Sequence, residues 1–410
     1  MKTVVIIGGG IIGMATALSL ARQGHRVTVV DPRPPGHGAS CGNAAIIANY
    51  QCVPLGTPAV IRRVPSMLLN ADSPLVISWK YLPKLAPWLA RFAWASRPTR
   101  VAAIADALAA LQHNADPDYR PLLEMADAEK LVVRNGSLLL YGSAESYTRA
   151  RPEIDLRRRL GFPLAEVSAS QIAQIEPNLA PIYHCGILFP GASHLQDPLA
   201  LVERFAQTFV QCGGTLIRAE AKAIERDAKD RIVVSGGAAP IVGDYVVVAA
   251  GAWSRPLARQ VGDRIPLDTE RGHHVMFPGA QTLVSRPVGR AELGFYVTPL
   301  AHGLRAAGTV EFAGLAAPLD PARTRFIARA ARALLPQLNE PASEWLGFRP
   351  SLPDSLPVIG PSPRNPKVFY AFGHGHLGIT LAGVTARMVT DLIDGRRPVV
   401  DPSPYRPDRF

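Results

Sequence analysis

Near its C-terminal end the chain reads FGHGHLGIT, from Phe372 to Thr380, with two histidines separated by a single glycine. Histidine can ligate a metal, move a proton or donate a hydrogen bond, and glycine lets backbone approach a bound group closely. A metal site needs more ligands than these. No H-x-x-x-H spacing and no neighbouring carboxylate pair accompanies His374 and His376, and Cys41, Cys52, Cys185 and Cys212 form no C-x-x-C pair, so no metal is expected. The thiols read as free, in a reducing compartment. A second chemical group stands upstream in GFRPSLPDSLPVIG, where Arg349 offers a planar fork of donors suited to a carboxylate.

The third group lies at the other end. Thr3 to Ile7 is a short β-branched run too apolar for a half-exposed strand, so a central parallel strand is predicted. It runs into Gly8-Gly9-Gly10-Ile11-Ile12-Gly13, a G-x-G-x-x-G pattern, followed by a helical stretch over 14–23 and a second strand, 26–30, that ends at Asp31. Asp31 stands 18 positions after Gly13. Gly8 suits a tight turn, Gly10 close approach of a pyrophosphate, Gly13 close packing of helix on strand, and Asp31 a ribose hydroxyl. That context points to a dinucleotide cofactor; the motif alone leaves NAD and FAD both open.

Length allows two domains or one elaborate α/β domain, and nearly half the residues are apolar, which reads as globular. A formal charge of +11 invites a nucleic-acid partner, but the basic residues are scattered and none of their clusters interleaves with aromatics, so nucleic acid is excluded. The densest run, Arg157-Arg158-Arg159, reads as one face of a solvated helix. The apolar N-terminus is interrupted by its glycines and is not taken as a signal peptide, and no stretch reaches the roughly 18 apolar residues of a spanning helix. Residues 74–94 mix five aromatics with Lys80, Lys84 and Arg91. They read as a helix pair packed on its own domain, with peripheral membrane contact kept open. A cytoplasmic protein is expected, with the cytoplasmic face of the inner membrane as the variant.

Four further stretches follow in order: PRPPGHGASCGNAAIIA after Asp31, GDYVVVAAGAWS from Gly243 to Ser254, IPLDTERGHHVMF from Ile265 to Phe277, and a Y-V-T-P run that begins at Tyr296. Together with Gly347–Gly360 and FGHGHLGIT, this set resembles the flavoprotein family of D-amino-acid oxidases and dehydrogenases, glycine oxidase and sarcosine oxidase. The resemblance implies an α/β protein. A Rossmann-like, glutathione-reductase-type FAD-binding domain would be assembled from 1–51, 196–262 and 347–410. A substrate domain with a mostly antiparallel sheet would come from 52–195 and 263–346.

It also implies noncovalent FAD, since no cysteine stands where some sarcosine-oxidising relatives attach flavin. Along the cofactor it would place Gly8, Gly10, Ile11, Ile12 and Gly13, then Asp31, Pro32 and Arg33, then Ser40, Asn43, Ala44, Ala45 and Ile46. Ala221 would pass the adenine. Ala249, Gly251 and Trp253 would run close to the cofactor, as would Gly347 and Arg349. Gly373, His374, Gly375, His376, Leu377, Gly378, Ile379 and Thr380 would open the last helix against the flavin pyrimidine.

Arg349 and Tyr296 would hold the substrate carboxylate, and His274 or His376 would assist loss of the amine proton before hydride passes from Cα to flavin N5. The imine formed is hydrolysed by water. The implied reaction is oxidative deamination of a D-amino or D-imino acid, with electrons passed to a quinone or other respiratory partner. D-hydroxyproline, proline-type or N-alkyl substrates, oxygen as acceptor, and more remotely an NAD(P)-dependent dehydrogenase, are the alternatives. His376 departs from the arginine of glycine oxidase and from the small hydroxyl residue common in the dehydrogenases, which marks it as a candidate for substrate choice.

Overall fold

The computed structural model describes residues 1–68 and 73–410. Its first sheet has six strands in the order Thr215–Arg218, Arg26–Asp31, Thr3–Ile7, Tyr245–Val248, Val368–Phe372, Val358–Pro361. All neighbours are parallel except the last pair. Thr3–Ile7 is central because its apolar run can be buried on both sides. Val4 and Ile6 join one core with the helices Ile11–Arg22 and Ala382–Ile393. Val5 and Ile7 face the other way, into a core shared with the antiparallel strands Ala223–Arg226 and Ile232–Ser235. The two helices are joined where the Ser19 and Thr390 hydroxyls lie 2.9 Å apart.

The second sheet has nine strands and is antiparallel except at two junctions. Its main path runs Ser343–Ser351, Asp268–Phe277, Gly303–Phe312, Phe295–Leu300, Val288–Arg290, Ser137–Tyr141, Cys185–Phe189, Ala165–Ser168, while Leu75–Ile77 pairs with Gly303–Phe312. Side chains alternate across this sheet with period two. Val275, Phe277, Val297, Leu304 and Ala306 lie in a core with Phe326, Ile327 and Leu334 of the helix Pro321–Leu334. The opposite face of the same strands is turned toward the first unit.

Several sequence-based expectations need correction. The first helix begins at Ile11, immediately after the glycines, not at Met14. Ala221, expected to pass the adenine, lies in the connection between the strands Thr215–Arg218 and Ala223–Arg226, which belong to two different sheets. Residues 74–94 form the strand Leu75–Ile77 and one helix, Leu82–Ala95, whose Leu85 and Trp88 are buried against Phe312. Arg157 is buried, not solvated: its guanidinium donates to Gln51 Oε1 at 3.1 Å and lies 3.8 Å from Glu153. The strand Ser343–Ser351 runs past the expected boundary at 346/347, so Gly347 and Arg349 belong to the larger sheet.

Beneath that sheet lies a buried charge cluster. Arg271 is fully buried, 3.5 Å from Glu311, and the same carboxylate lies 3.5 Å from His273. Removing one member of a buried pair strands the other without compensation. Glu311→Leu is expected to lower stability by about 3 kcal/mol, and adding Arg271→Met should recover part of the loss. Urea unfolding midpoints check both, and equal midpoints for wild type and Glu311→Leu would show that the pair contributes nothing.

Candidate active site

The glycine turn is built by close approach. Gly8 has φ +115°, and a Cβ there would lie 2.3 Å from the Ala249 carbonyl oxygen; one at Gly13 would lie 1.8 Å from the Gly8 oxygen. Gly10, the residue before the first helix, has no side chain to cap it, which leaves early amides beyond Ile11 directed at whatever binds before the helix. The Ile11 N–H is taken by Ser40 Oγ at 3.0 Å. Asp31 lies beside the turn, where its two oxygens accept from the Gly9 and Arg33 amides, each at 2.8 Å. A carboxylate has lone pairs to spare for a hydroxyl. The Arg33 guanidinium stacks 4.8 Å over the ring of Trp253, bringing two expected cofactor residues together.

From Ser40 onward the chain crosses to the larger sheet and is fastened there through its carbonyls. Arg305 donates to Cys41 O at 3.0 Å and to Asn43 O at 2.7 Å, His274 Nδ1 to Gly42 O at 2.8 Å, and Thr298 Oγ1 to Ala44 O at 2.9 Å. Asn43 accepts from the Ala45 amide at 2.6 Å, and Ala45 is held at φ +60°. Ile46 then pairs with His194 in a small sheet. Burial brings the Arg305 pKa down to about 10, and burial with the nearby Arg305 cation brings His274 down to about 3. His274 is thus a neutral ring, stacked on Trp345 with centroids 5.0 Å apart, and one of its nitrogens is engaged by backbone.

The strand alternation explains why these groups converge. Glu270, Gly272 and His274 are in register with Arg349, Gly347 and Trp345, so all six share one face. Ala307 is opposite His274 on its other side, and Tyr296 is opposite Ala307. A bulge interrupts the ladder between Arg271 and His273, where Thr309 takes φ +61°. The Thr309 carbonyl there accepts from Arg349 Nη1 at 2.9 Å. Gly272 makes room for the guanidinium, since a Cβ would sit 2.1 Å from Nη2. Tyr296 lies flat on Gly289, where a Cβ would come within 2.5 Å of its ring, and its hydroxyl is 3.5 Å from that of Tyr50.

The C-terminal stretch arrives from the first sheet. His374 bridges Ser351 through backbone, and its Nε2 lies 2.9 Å from Thr385 Oγ1; burial lowers its pKa to about 3. His376 is exposed toward solvent at the cleft wall, and the surrounding protein together with the Arg349 cation lowers its pKa to about 4. Thr380 Oγ1 accepts from the Ala48 amide at 3.0 Å. One expectation changes here. The glycines at φ +86° (Gly373) and +54° (Gly375) turn the chain into a short 3-10 segment, Gly375–Leu377, and the α-helix starts only at Ala382.

Thr298, Arg305, Thr309, Trp345 and Tyr50 were not anticipated. Arg305 carried a readable signal, a lone charge in the otherwise uncharged run GLRAAGTV, and Thr298 sits at even spacing from Tyr296. The bulge at Thr309 left no mark in the residue types.

This fold and this cradle define a dinucleotide-dependent oxidoreductase. The description FAD dependent oxidoreductase (DAO) matches residues 3–392, and the chain belongs to that family. It is similar to a D-amino-acid oxidase of Bradyrhizobium diazoefficiens, 36% identical over 100% of this chain and 99% of the relative. It is also similar to D-amino acid dehydrogenase 2 of Ralstonia nicotianae, 30% identical over 98% and 99%. Among solved structures, glycine oxidase from Geobacillus kaustophilus has the same fold, with TM-score 0.76, 23% identity and full coverage of both chains. The cofactor is therefore FAD. The residues present fit it: an added Cβ meets nothing within 4 Å at Gly251, only Ser351 Oγ at 3.7 Å at Gly375, and only His374 Cβ at 3.9 Å at Gly378. Backbone is open to a ligand at all three.

Gly13→Ala tests the cradle. Its Cβ would strike backbone that has nowhere to go, so a stability loss of roughly 3 kcal/mol and purification without flavin are expected. Visible absorbance reports the flavin, and full retention would show that close packing at Gly13 is dispensable.

Proposed function

We propose that the protein oxidises the amine of a D-amino or D-imino acid, and that a quinone or another respiratory carrier takes the electrons. The observation that carries this reading is Arg349: a half-buried guanidinium with one N–H on the Thr309 carbonyl, the cation that lowers the pKa of the neighbouring His376. Its remaining donors suit a carboxylate held in two places. Tyr296 supports the same substrate. Burial, then Tyr50, raise its hydroxyl well above the ordinary value, so it stays protonated and can donate.

Bound FAD supplies the two-electron acceptor for the hydride that leaves Cα. The amine gives up a proton, a C=N bond forms, and water adds to it to give the 2-oxo acid and the freed amine, which is ammonia for a primary amine. Substrate held at its carboxylate presents Cα in a fixed orientation, which is most of what the site must do. His376 is better placed than His274 to touch the substrate, because His274 spends Nδ1 on Gly42 and stacks on Trp345. With a pKa near 4, however, His376 is a poor base for an ammonium ion. Its role in this reading is to select the side chain, while the amine loses its proton to solvent.

The acceptor reading leans on the Ralstonia relative, named a dehydrogenase, against the Bradyrhizobium one, named an oxidase. Membrane contact through 74–94 would bring a quinone within reach: Trp79 is 74% exposed and Trp94 46%. Among the described residues no helix is long and apolar enough to cross a membrane.

Anaerobic mixing with a panel of D- and N-alkyl amino acids should bleach the flavin; failure of every compound would sink the reading. Arg349→Ala should lower kcat/KM by roughly two to four orders of magnitude, and Arg349→Lys should recover only part, since lysine lacks the fork. Unchanged kcat/KM in Arg349→Ala would remove the anchor.

A separate expectation concerns pH. Burial lowers the pKa values of His274 and His374, and the surrounding protein with the Arg349 cation lowers that of the exposed His376, so these groups are already neutral well below pH 7 and kcat/KM should rise with pH as the substrate ammonium loses its proton. His376→Gln should keep that profile yet change the ratio of kcat/KM between two substrates by roughly tenfold. A profile that loses its rise in the variant would make His376 the base after all.

A further inference from the structure

Outside the cleft, a groove of about 660 Å³ runs between the helices Leu82–Ala95 and Ser254–Val261. Its walls carry five cations, Lys84, Arg91, Arg255, Arg259 and Arg264. Lys84 and Arg91 are seven residues apart on one helix and so share a stripe, and Arg255 and Arg259 are one turn apart on the other. Four of the five are exposed. Arg255 is half-buried: one of its donors reaches Leu267 O at 3.2 Å, and its Nε is enclosed without a partner.

None of the five forms a salt bridge among the described residues. The one acid in the lining, Asp268, is engaged already, accepting from the Tyr81 hydroxyl at 3.0 and 3.1 Å and from the Thr269 amide at 2.7 Å. Five cations face a single carboxylate, Asp268, on which Arg255 acts electrostatically, so the groove keeps an excess of positive charge that favours an anion. The floor is different in kind. Pro87, Trp88 and Ile265 offer an apolar bed, and Trp88 is fixed there by packing on Phe312 and by its Nε1 donating to Ser351 O at 3.4 Å. A rim of guanidinium forks over an apolar floor, in a volume within the range of small-ligand sites, matches a phosphate joined to an apolar or planar body.

We propose that this groove binds a phosphate ester, with the phosphate among Arg255, Arg259 and Arg264 and the body against Trp88. The ester is either a lipid headgroup or a soluble metabolite. The proposal stands whichever amine the enzyme oxidises, because binding is read without turnover; only its lipid arm rests on the membrane contact suggested above.

Holoenzyme would be titrated calorimetrically with inorganic pyrophosphate, and floated with phosphatidylglycerol or phosphatidylcholine vesicles at about 150 mM salt, where exposed charges are largely screened beyond ~8 Å. Saturable pyrophosphate binding is expected, weakened roughly tenfold or more by Arg259→Glu/Arg264→Glu. The control Arg149→Glu/Arg159→Glu, equal in charge change and on exposed sites elsewhere, should stay close to wild type. Retained flavin shows that each variant is folded, and Arg259→Gln/Arg264→Gln should reproduce the weakening without reversed charge. Flotation with phosphatidylglycerol alone, lost in the groove variant, assigns the lipid source; pyrophosphate binding without flotation assigns the soluble one. Absence of both, or equal loss in the control variant, overturns the site.

Discussion

The structure depends on one fastening: the backbone from Cys41 to Ala44, held to the larger sheet by Arg305, His274 and Thr298. Each contact spends a side-chain donor on a main-chain carbonyl in a buried setting, where an unmade hydrogen bond would cost more than a made one returns. The same segment begins at Ser40, which holds the Ile11 amide of the glycine turn, and runs on to Ala48, which donates to Thr380 of the C-terminal stretch. Three distant pieces of sequence are thereby brought around one cleft. Together with the backbone bridge from His374 to Ser351, this strap joins the dinucleotide cradle to the arginine-bearing sheet.

Burial also decides which charges survive in the cleft. His274 and His374 have pKa values lowered principally by burial and His376 one lowered by the surrounding protein and the Arg349 cation, so the histidine-rich wall is neutral near physiological pH. Arginine does not yield in the same way. Arg349 and Arg305 keep their charge despite their burial, and with it the ability to bind an anion or fasten carbonyls. The cleft accordingly presents fixed cationic donors beside neutral imidazoles.

Both ends of the chain were legible because local rules are strict there. A β-branched run, a glycine turn that allows neither Gly8 nor Gly13 a side chain, and an acid at the end of the next strand leave few other folds open. Arg349 could be singled out because its flanking motif is distinctive. His274 and His376 looked equivalent as one-dimensional candidates; the difference between them is a carbonyl, Gly42 O, contributed from 232 residues away.

What the sequence determined by itself was therefore the strand–glycine turn–helix unit and the identity of the charged groups, since these follow from residue type and short spacing. Only the tertiary structure decided which of those groups are spent on backbone, that Arg157 is buried, that Thr309 bulges beneath Arg349, and that five cations from two helices and a loop share one groove. Each of these depends on contacts between strands and helices far apart in the chain, where period-two alternation fixes the face of a side chain but says nothing of what lies opposite.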